Sequence, residues 1–120
     1  MKIAISVSGK TLDSQIDPRF GRAAGFIIYD METETFEYKD NSQNLNAMQG
    51  AGIQSAKHLS DFGVSALITG HCGPKAFTAL KAAGVKIYAG AAGTVEAVIV
   101  KFKNGELSEA HEADVDGHWS

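Results

Sequence analysis

The sequence predicts a single α/β domain: a mixed sheet of five strands flanked by helices. Three observations predict this class. The order of patterns along the chain is βββαβαβα, the strand patterns are short and apolar, and helices alternate with strands in the second half. A chain of 120 residues with 44% hydrophobic residues can bury one core, and no repeat or linker indicates a second domain.

The first half of the chain predicts three strands separated by loops. Residues 2–8 alternate apolar and small polar side chains, which is typical of a strand. Residues 25–31 and 35–39 predict a β-hairpin around a short polar turn. The stretches 9–22 and 40–52 are rich in Gly, Asp, Asn and Gln, so we expect them to be loops.

A helix and a buried strand follow. Apolar residues at helical spacing predict a helix over residues 52–62, which Gly63 ends. The short apolar run 65–70 is typical of a strand that is buried on both faces. The predicted apolar side of the helix consists of Ile53, Ala56, Leu59 and Phe62.

The last part of the chain repeats this alternation. Pro74 is placed to begin a second helix, because proline fits the first helical position, and Gly84 ends it. Residues 86–89 predict the fifth strand. Thr94 is a predicted cap for a final helix through about Phe102, although the β-branched residues in this stretch also suit a strand.

The predicted connections bring four loops to one edge of the sheet. Right-handed crossovers make the first, fourth and fifth strands parallel, and the hairpin returns the third strand to the same direction. This arrangement resembles a ribonuclease-H-like sheet. Ligands in open α/β sheets bind beyond the carboxyl ends of the strands. We therefore expect a binding site where loops 9–22, 40–52, 70–74 and 90–94 converge.

Charge divides the chain into a mildly basic body and an acidic tail. The whole chain carries −3. Residues 104–120 carry −5, with five acidic residues and no Lys or Arg, so the rest carries +2. We expect a domain over residues 1–107 and a flexible acidic tail over 108–120. A body this weakly basic argues against a nucleic-acid-binding face.

Cysteine content and hydropathy indicate a cytoplasmic protein. The single cysteine, Cys72, cannot form an internal disulfide, and a lone thiol suits a reducing compartment. No apolar stretch approaches the roughly 18–20 residues of a membrane span. The first residues run directly into a strand pattern without the layout of a signal peptide. We expect a monomer with no membrane or nucleic-acid partner.

The segment Gly70-His71-Cys72-Gly73-Pro74 offers two candidate metal ligands. A thiolate is the soft ligand that copper, molybdenum–sulfide and iron–sulfur centres prefer, and imidazole is a good partner for it. Cys72 would lie near the start of a helix, where the helix dipole stabilises an anion. The alternative is a small, partly buried cysteine beside a capping histidine, and the residues alone leave both interpretations open.

Two arginines and several glycines are candidates for holding an anion. Arg19 and Arg22 can make forked hydrogen bonds to oxyanions or sulfide-bearing anions, or form a surface salt bridge with Asp17 in a solvated turn. Gly50, Gly52 and Gly93 lie in turns that open helices. Such turns can present backbone N–H groups to an anionic ligand, although glycines there more often serve backbone geometry.

These motifs together resemble the nitrogenase iron–molybdenum cofactor-binding (dinitrogenase cofactor biosynthesis) family, from the first strand to about Phe102. The family's binding residues carry over to Arg19, Arg22, Gly70, Gly73 and Pro74 only. The His71-Cys72 pair departs from the usual pattern, so the ligand role of Cys72 rests on thiolate chemistry. The motifs that carry the resemblance are Asp17-Pro18-Arg19-Phe20-Gly21-Arg22, Gly50-Ala51-Gly52, Ile68-Thr69-Gly70, Gly73-Pro74 and Ala76.

The resemblance implies a carrier or store for a molybdenum-containing metal–sulfur cluster rather than an enzyme. The single small domain and acidic tail are similar to one member that is associated with a molybdenum–copper sulfide cluster, and the wider family implies an iron–molybdenum type. A partner in cluster delivery or in a redox complex is also implied. The alternatives are a small enzyme that depends on Cys72 and a regulatory module that docks partners through its tail. Nuclease activity is excluded, because the central strands carry no acidic residue for binding metal ions.

Overall fold

The computed structural model describes residues 1–41 and 51–111. The strands are β1 (Lys2–Val7), β2 (Gly25–Asp30), β3 (Thr35–Asp40), β4 (Ala66–Ile68) and β5 (Lys86–Tyr88), and the helices are α1 (Ala51–Ser60), α2 (Pro74–Ala82) and α3 (Val95–Lys103). The strands form one sheet in the order β3-β2-β1-β4-β5. The predicted class, a single α/β domain with a ribonuclease-H-like mixed sheet, is confirmed.

Strand directions follow from the connections between the strands. β2 is antiparallel to both β1 and β3, and the tight hairpin turn between β2 and β3 accounts for the second pairing. β4 is parallel to β1 and to β5, as helical crossovers require. The segments after β1, β4 and β5 therefore leave the sheet at one edge. We call residues 8–22, 69–75 and 89–94 together the rim. Residues 42–50 of the fourth predicted loop lie outside the described residues.

The sheet separates two hydrophobic cores. Side chains alternate along each strand, so Ala4 of β1 faces one core while Ile3 and Ile5 face the other. The first core packs under α1, α2 and a short 3₁₀ helix, Phe20–Arg22. The second core packs under α3. The loops of the rim therefore follow strands that are packed on both faces of the sheet.

The helix ends form as their sequences predict. Gly73 is the N-cap of α2, with Pro74 in its first turn. Thr94 caps α3, because its Oγ1 accepts a hydrogen bond from the Ala97 N–H at 3.2 Å. Burial of Val95, Val98 and Ile99 against the sheet explains why a β-branched sequence is helical here.

None of the helices in the described part of the chain combines the length and apolar content that crossing a bilayer requires.

The start of the predicted tail packs against the domain. The Ala110 N–H donates to the Ile87 carbonyl at 2.7 Å, and Glu109 pairs with Lys81 at 3.6 Å. The boundary after residue 107 is therefore not a break in packing. Residues 112–120 lie outside the described residues.

Candidate functional site

Two loops of the rim cross side by side and bring predicted site residues together. The His71 N–H donates to the Pro18 carbonyl at 2.6 Å, and the Phe20 N–H donates to the His71 carbonyl at 3.2 Å. These bonds make a parallel bridge in which Arg19 is the partner of His71. The predicted convergence of the arginine-bearing and histidine-bearing loops is therefore present in the fold.

Gly70 permits this crossing because it has no side chain. A Cβ atom at residue 70 would lie 2.7 Å from both the Cα and the carbonyl oxygen of Pro18. Real Cβ atoms essentially never approach backbone atoms this closely. The glycine is therefore required for the close approach of the two backbones.

Two buried hydroxyl groups support the crossing from below. The Ser6 Oγ donates to the Asp17 carbonyl at 2.7 Å, and the hydroxyl oxygens of Ser6 and Thr69 lie 2.9 Å apart. Both side chains are buried at the carboxyl ends of neighbouring strands. The sequence analysis did not single them out, although a polar residue near the end of an apolar strand was the available signal.

Arg19 is exposed at the rim, and the preceding turn fixes its backbone. The Asp17 Oδ1 accepts a hydrogen bond from the backbone N–H of Arg19 at 2.9 Å, so this carboxylate fixes the turn. Within residues 1–41 and 51–111, the Arg19 guanidinium has neither a hydrogen-bond nor an ion-pair partner. Arg22 ends the short 3₁₀ helix that follows Arg19, and its side chain is half-buried. Arg19 is the bridge partner of His71, and Arg22 follows Arg19 by three residues.

His71 and Cys72 lie on opposite sides of the bridged strand. His71 is half-buried beside the exposed Arg19, whereas Cys72 is 1% exposed and packs in the first core with Phe20. As two ligands of one metal ion, both side chains would have to face one crevice. An extended bridge instead alternates its side chains between two faces. Cys72 as a metal ligand stays a prediction, and in this structure its thiol faces the core.

The burial of Cys72 predicts slow thiol chemistry. In the native protein, Ellman's reagent at neutral pH is expected to react with Cys72 far more slowly than in the unfolded chain, because reaction requires the rim to open. The measurement is the rate of absorbance change with and without denaturant. Rapid native labelling would show that the thiol is presented to solvent, and it would favour the cysteine-dependent enzyme.

The two helices that begin at the rim differ in their free N–H groups. At α2, the N–H groups of Gly73 and Lys75 have no acceptor among residues 1–41 and 51–111. At α3, the N–H groups of Val95 and Glu96 bond to the carbonyls of Ser14 and Leu12. The start of α2 therefore retains donors for an anion, whereas the first turn of α3 is satisfied within the chain.

The remaining glycines that were predicted to bind an anion lie in different parts of the chain. Gly93 has φ +107°, and its carbonyl accepts from the Ile16 N–H at 2.9 Å, so it shapes the loop before α3. Gly52 is buried in the first turn of α1. Gly50 lies outside the described residues. The binding roles predicted for these three residues stay predictions.

A further cation lies on the other flank of the rim. The Lys10 Nζ is 5.5 Å from the centre of the Tyr38 ring, and the Tyr38 hydroxyl donates to the Ala24 carbonyl at 3.3 Å. Burial, and next the charge of Asp40, raise the pKa of Tyr38, so its hydroxyl stays protonated at neutral pH.

In the described part of the chain, no three His, Cys, Asp or Glu side chains are grouped to hold a metal ion.

Comparison with known proteins identifies the family. The model for the dinitrogenase iron–molybdenum cofactor family matches residues 1–105. The chain belongs to this family. The resemblance predicted from the rim motifs is therefore confirmed, and the match spans every helix and strand of the fold.

This chain is similar to solved structures with the same fold and to a further protein of known sequence. The apo form of the orange protein from Desulfovibrio gigas is 41% identical, with a TM-score of 0.93 over 95% of this chain and 96% of that chain. A NifB-like protein from Thermotoga is also 41% identical, with a TM-score of 0.80 over 90% and 91% of the two chains. An uncharacterized Methanocaldococcus jannaschii protein is 31% identical over 111 residues, 91% of each chain.

The likeness to the orange protein agrees with the sequence analysis in one further respect. The single small domain and acidic tail of the sequence predict a likeness to the orange protein of sulfate-reducing bacteria, and an orange protein is among the similar structures. This resemblance is the source of the predicted molybdenum–copper sulfide cluster.

Proposed function

We propose that this protein binds an anionic, molybdenum-containing metal–sulfur cluster at the rim and carries it without catalysing a reaction. Membership of the dinitrogenase iron–molybdenum cofactor family and the likeness to the orange protein support this class of cargo. The cluster is of the molybdenum–copper sulfide or the iron–molybdenum–sulfur type.

The observation that carries the proposal is the pairing of Arg19 with His71. The Arg19 guanidinium is exposed and has no intramolecular partner in the described part of the chain, and the bridge holds it beside an imidazole. A guanidinium offers a planar fork of N–H donors, which suits the oxygen or sulfur edges of an anion. Charge-assisted hydrogen bonds of this kind are about twice as strong as neutral ones.

The start of α2 supplies a second set of donors on the same crossing. Gly73 and Lys75 carry N–H groups without acceptors among the described residues, and they follow His71 directly in the chain. The positive end of the helix dipole favours an anion at this position. We propose that the cargo contacts Arg19, His71 and this helix start together, with Arg22 and Gly70 completing the surface around it.

This mode of binding suits a carrier. Contacts made by charge and hydrogen bonds can be released without breaking a metal–thiolate bond, so the cargo can pass to a partner protein in cluster delivery or a redox complex. His71 is the side chain at the rim that can ligate a soft metal directly. Cys72 can do so only after residues 70–73 move, because its thiol packs in the core.

The same burial argues against the enzyme alternative. A cysteine nucleophile needs an accessible thiolate and a base within hydrogen-bond reach. The thiol of Cys72 is buried, and His71 extends from the opposite side of the strand. The geometry therefore supports binding rather than covalent catalysis.

Reconstitution tests the proposed function. The protein is incubated anaerobically with molybdate, sulfide and a copper or iron salt, and is then desalted. We expect a visible absorption band and bound molybdenum in the protein fraction, measured by spectroscopy and elemental analysis. Urea-unfolded protein treated identically is the control and should keep neither. A colourless, metal-free native protein with every metal combination would contradict the proposal.

A further inference from the structure

An apolar groove lies on the outer surface between α1 and α2. It has a volume of about 500 Å³ and is lined by Ile53, Pro74, Lys75, Thr78, Ala79 and Ala82. We call it the α1–α2 groove. Ile53 is 45% exposed there, although helical spacing placed it on the apolar side of the first helix. A hydrophobic side chain left open above a lining of Pro and Ala carbon atoms indicates a surface that another group covers.

Two lysines flank the α1–α2 groove. Lys75 lines it, and Lys57 lies one helical turn after Ile53 on the same face of α1. Neither lysine has an ion-pair partner among residues 1–41 and 51–111. The surface therefore fits an occupant with an apolar side chain next to negative charge.

The chain itself contains such an occupant. Residues 112–120 carry three carboxylates, Glu112, Asp114 and Asp116, followed by Trp119. An indole is a large apolar group that gains much from burial. The charge and the hydrophobic character of this segment thus complement the lysines and the apolar lining of the α1–α2 groove.

The tail is also long enough to reach the groove. It leaves the described part of the chain next to α2, because Glu109 pairs with Lys81 in the last turn of that helix. Trp119 is the eighth residue after His111, and an extended chain of eight residues spans up to about 27 Å. This span exceeds the length of α2, which is about 13 Å at 1.5 Å per residue, so the segment is long enough to run along that helix.

We propose that residues 112–120 dock in the α1–α2 groove, with Trp119 filling the apolar surface beside Ile53 and the carboxylates facing Lys57 and Lys75. This contact uses the side chain of Lys75, whereas the proposed cluster binding uses the backbone N–H of the same residue, and the docking does not depend on the cluster. It gives the acidic tail a defined position on the domain that carries it.

Fluorescence tests the proposal directly, because Trp119 is the only tryptophan of the chain. In the full-length protein its emission is expected to be blue-shifted relative to the urea-unfolded protein and protected from acrylamide. Ile53→Glu and Ala82→Glu should each remove the shift and the protection. The matched control is Val100→Glu, at a residue of α3 that is 51% exposed on the opposite face, and it should leave the wild-type spectrum unchanged.

Three results would overturn the proposal. Wild-type emission equal to that of the unfolded protein would show that Trp119 is not packed at all. A blue shift that survives both groove variants, with folding verified by circular dichroism, would place Trp119 elsewhere. A shift that disappears on dilution would mean that a second copy of the chain fills the groove.

Discussion

Replacing Gly70 with alanine is expected to destabilise the protein and to abolish cluster retention together. The new Cβ would lie 2.7 Å from two backbone atoms of Pro18, so the two loops must separate and the His71 N–H must lose its bond to the Pro18 carbonyl. Overpacking of this kind costs about 1–3 kcal/mol of unfolding free energy. Urea unfolding measures the stability, and hydrogen exchange at the His71 amide reports the local opening.

Gly63→Ala is the matched control for this variant. Gly63 has φ +70°, and nothing lies within 4 Å of an added Cβ, so alanine there brings backbone strain without a clash. The expected cost is about 1–2 kcal/mol, with the His71 amide as protected as in the wild type. An equally protected His71 amide in Gly70→Ala would show that the crossing does not depend on the glycine.

Replacing Arg19 with glutamate is expected to remove cluster binding while leaving the fold intact. The side chain is exposed and has no partner within the described residues, so the free energy of unfolding should change by no more than about 0.5 kcal/mol. Loss of a hydrogen bond to a charged group costs about 1.5–3 kcal/mol, a roughly ten- to hundredfold weaker affinity, and charge reversal adds repulsion. The measurement is molybdenum retained per protein after reconstitution and desalting.

Lys86→Glu makes the same change in net charge at a different place. Lys86 is the exposed first residue of β5, at the edge of the sheet opposite the rim. Retention should stay close to that of the wild type, because the charge is remote from the cargo. Equal losses in the two variants would show that overall charge, rather than the geometry at Arg19, governs binding.

Local signals in the sequence were sufficient for the element order and for the meeting of the arginine-bearing and histidine-bearing loops. Pro74 and Thr94 mark helix starts through their own backbone and side-chain chemistry, and the structure has both helices begin there. Strand direction then follows from the connections, which brings Arg19 and His71 to one edge. These steps need only neighbouring residues and the handedness of crossovers.

The orientation of the candidate ligands depended on contacts between distant residues. Cys72 faces the core because its neighbour His71 bridges to Arg19, about fifty residues earlier, and no local pattern reports that register. Likewise, the donors at the start of α3 are taken up by Leu12 and Ser14 of a loop far away in sequence. The exposure of Ile53 also depends on how α1 packs against α2, which helical periodicity alone does not specify.

Analysis of protein purified anaerobically from its native source tests the central claim most directly. If the rim carries a metal–sulfur cluster, molybdenum and acid-labile sulfide should co-purify with the folded chain and be released together when it unfolds. Native protein that contains neither, purified from cells that are replete with molybdenum, would contradict the account.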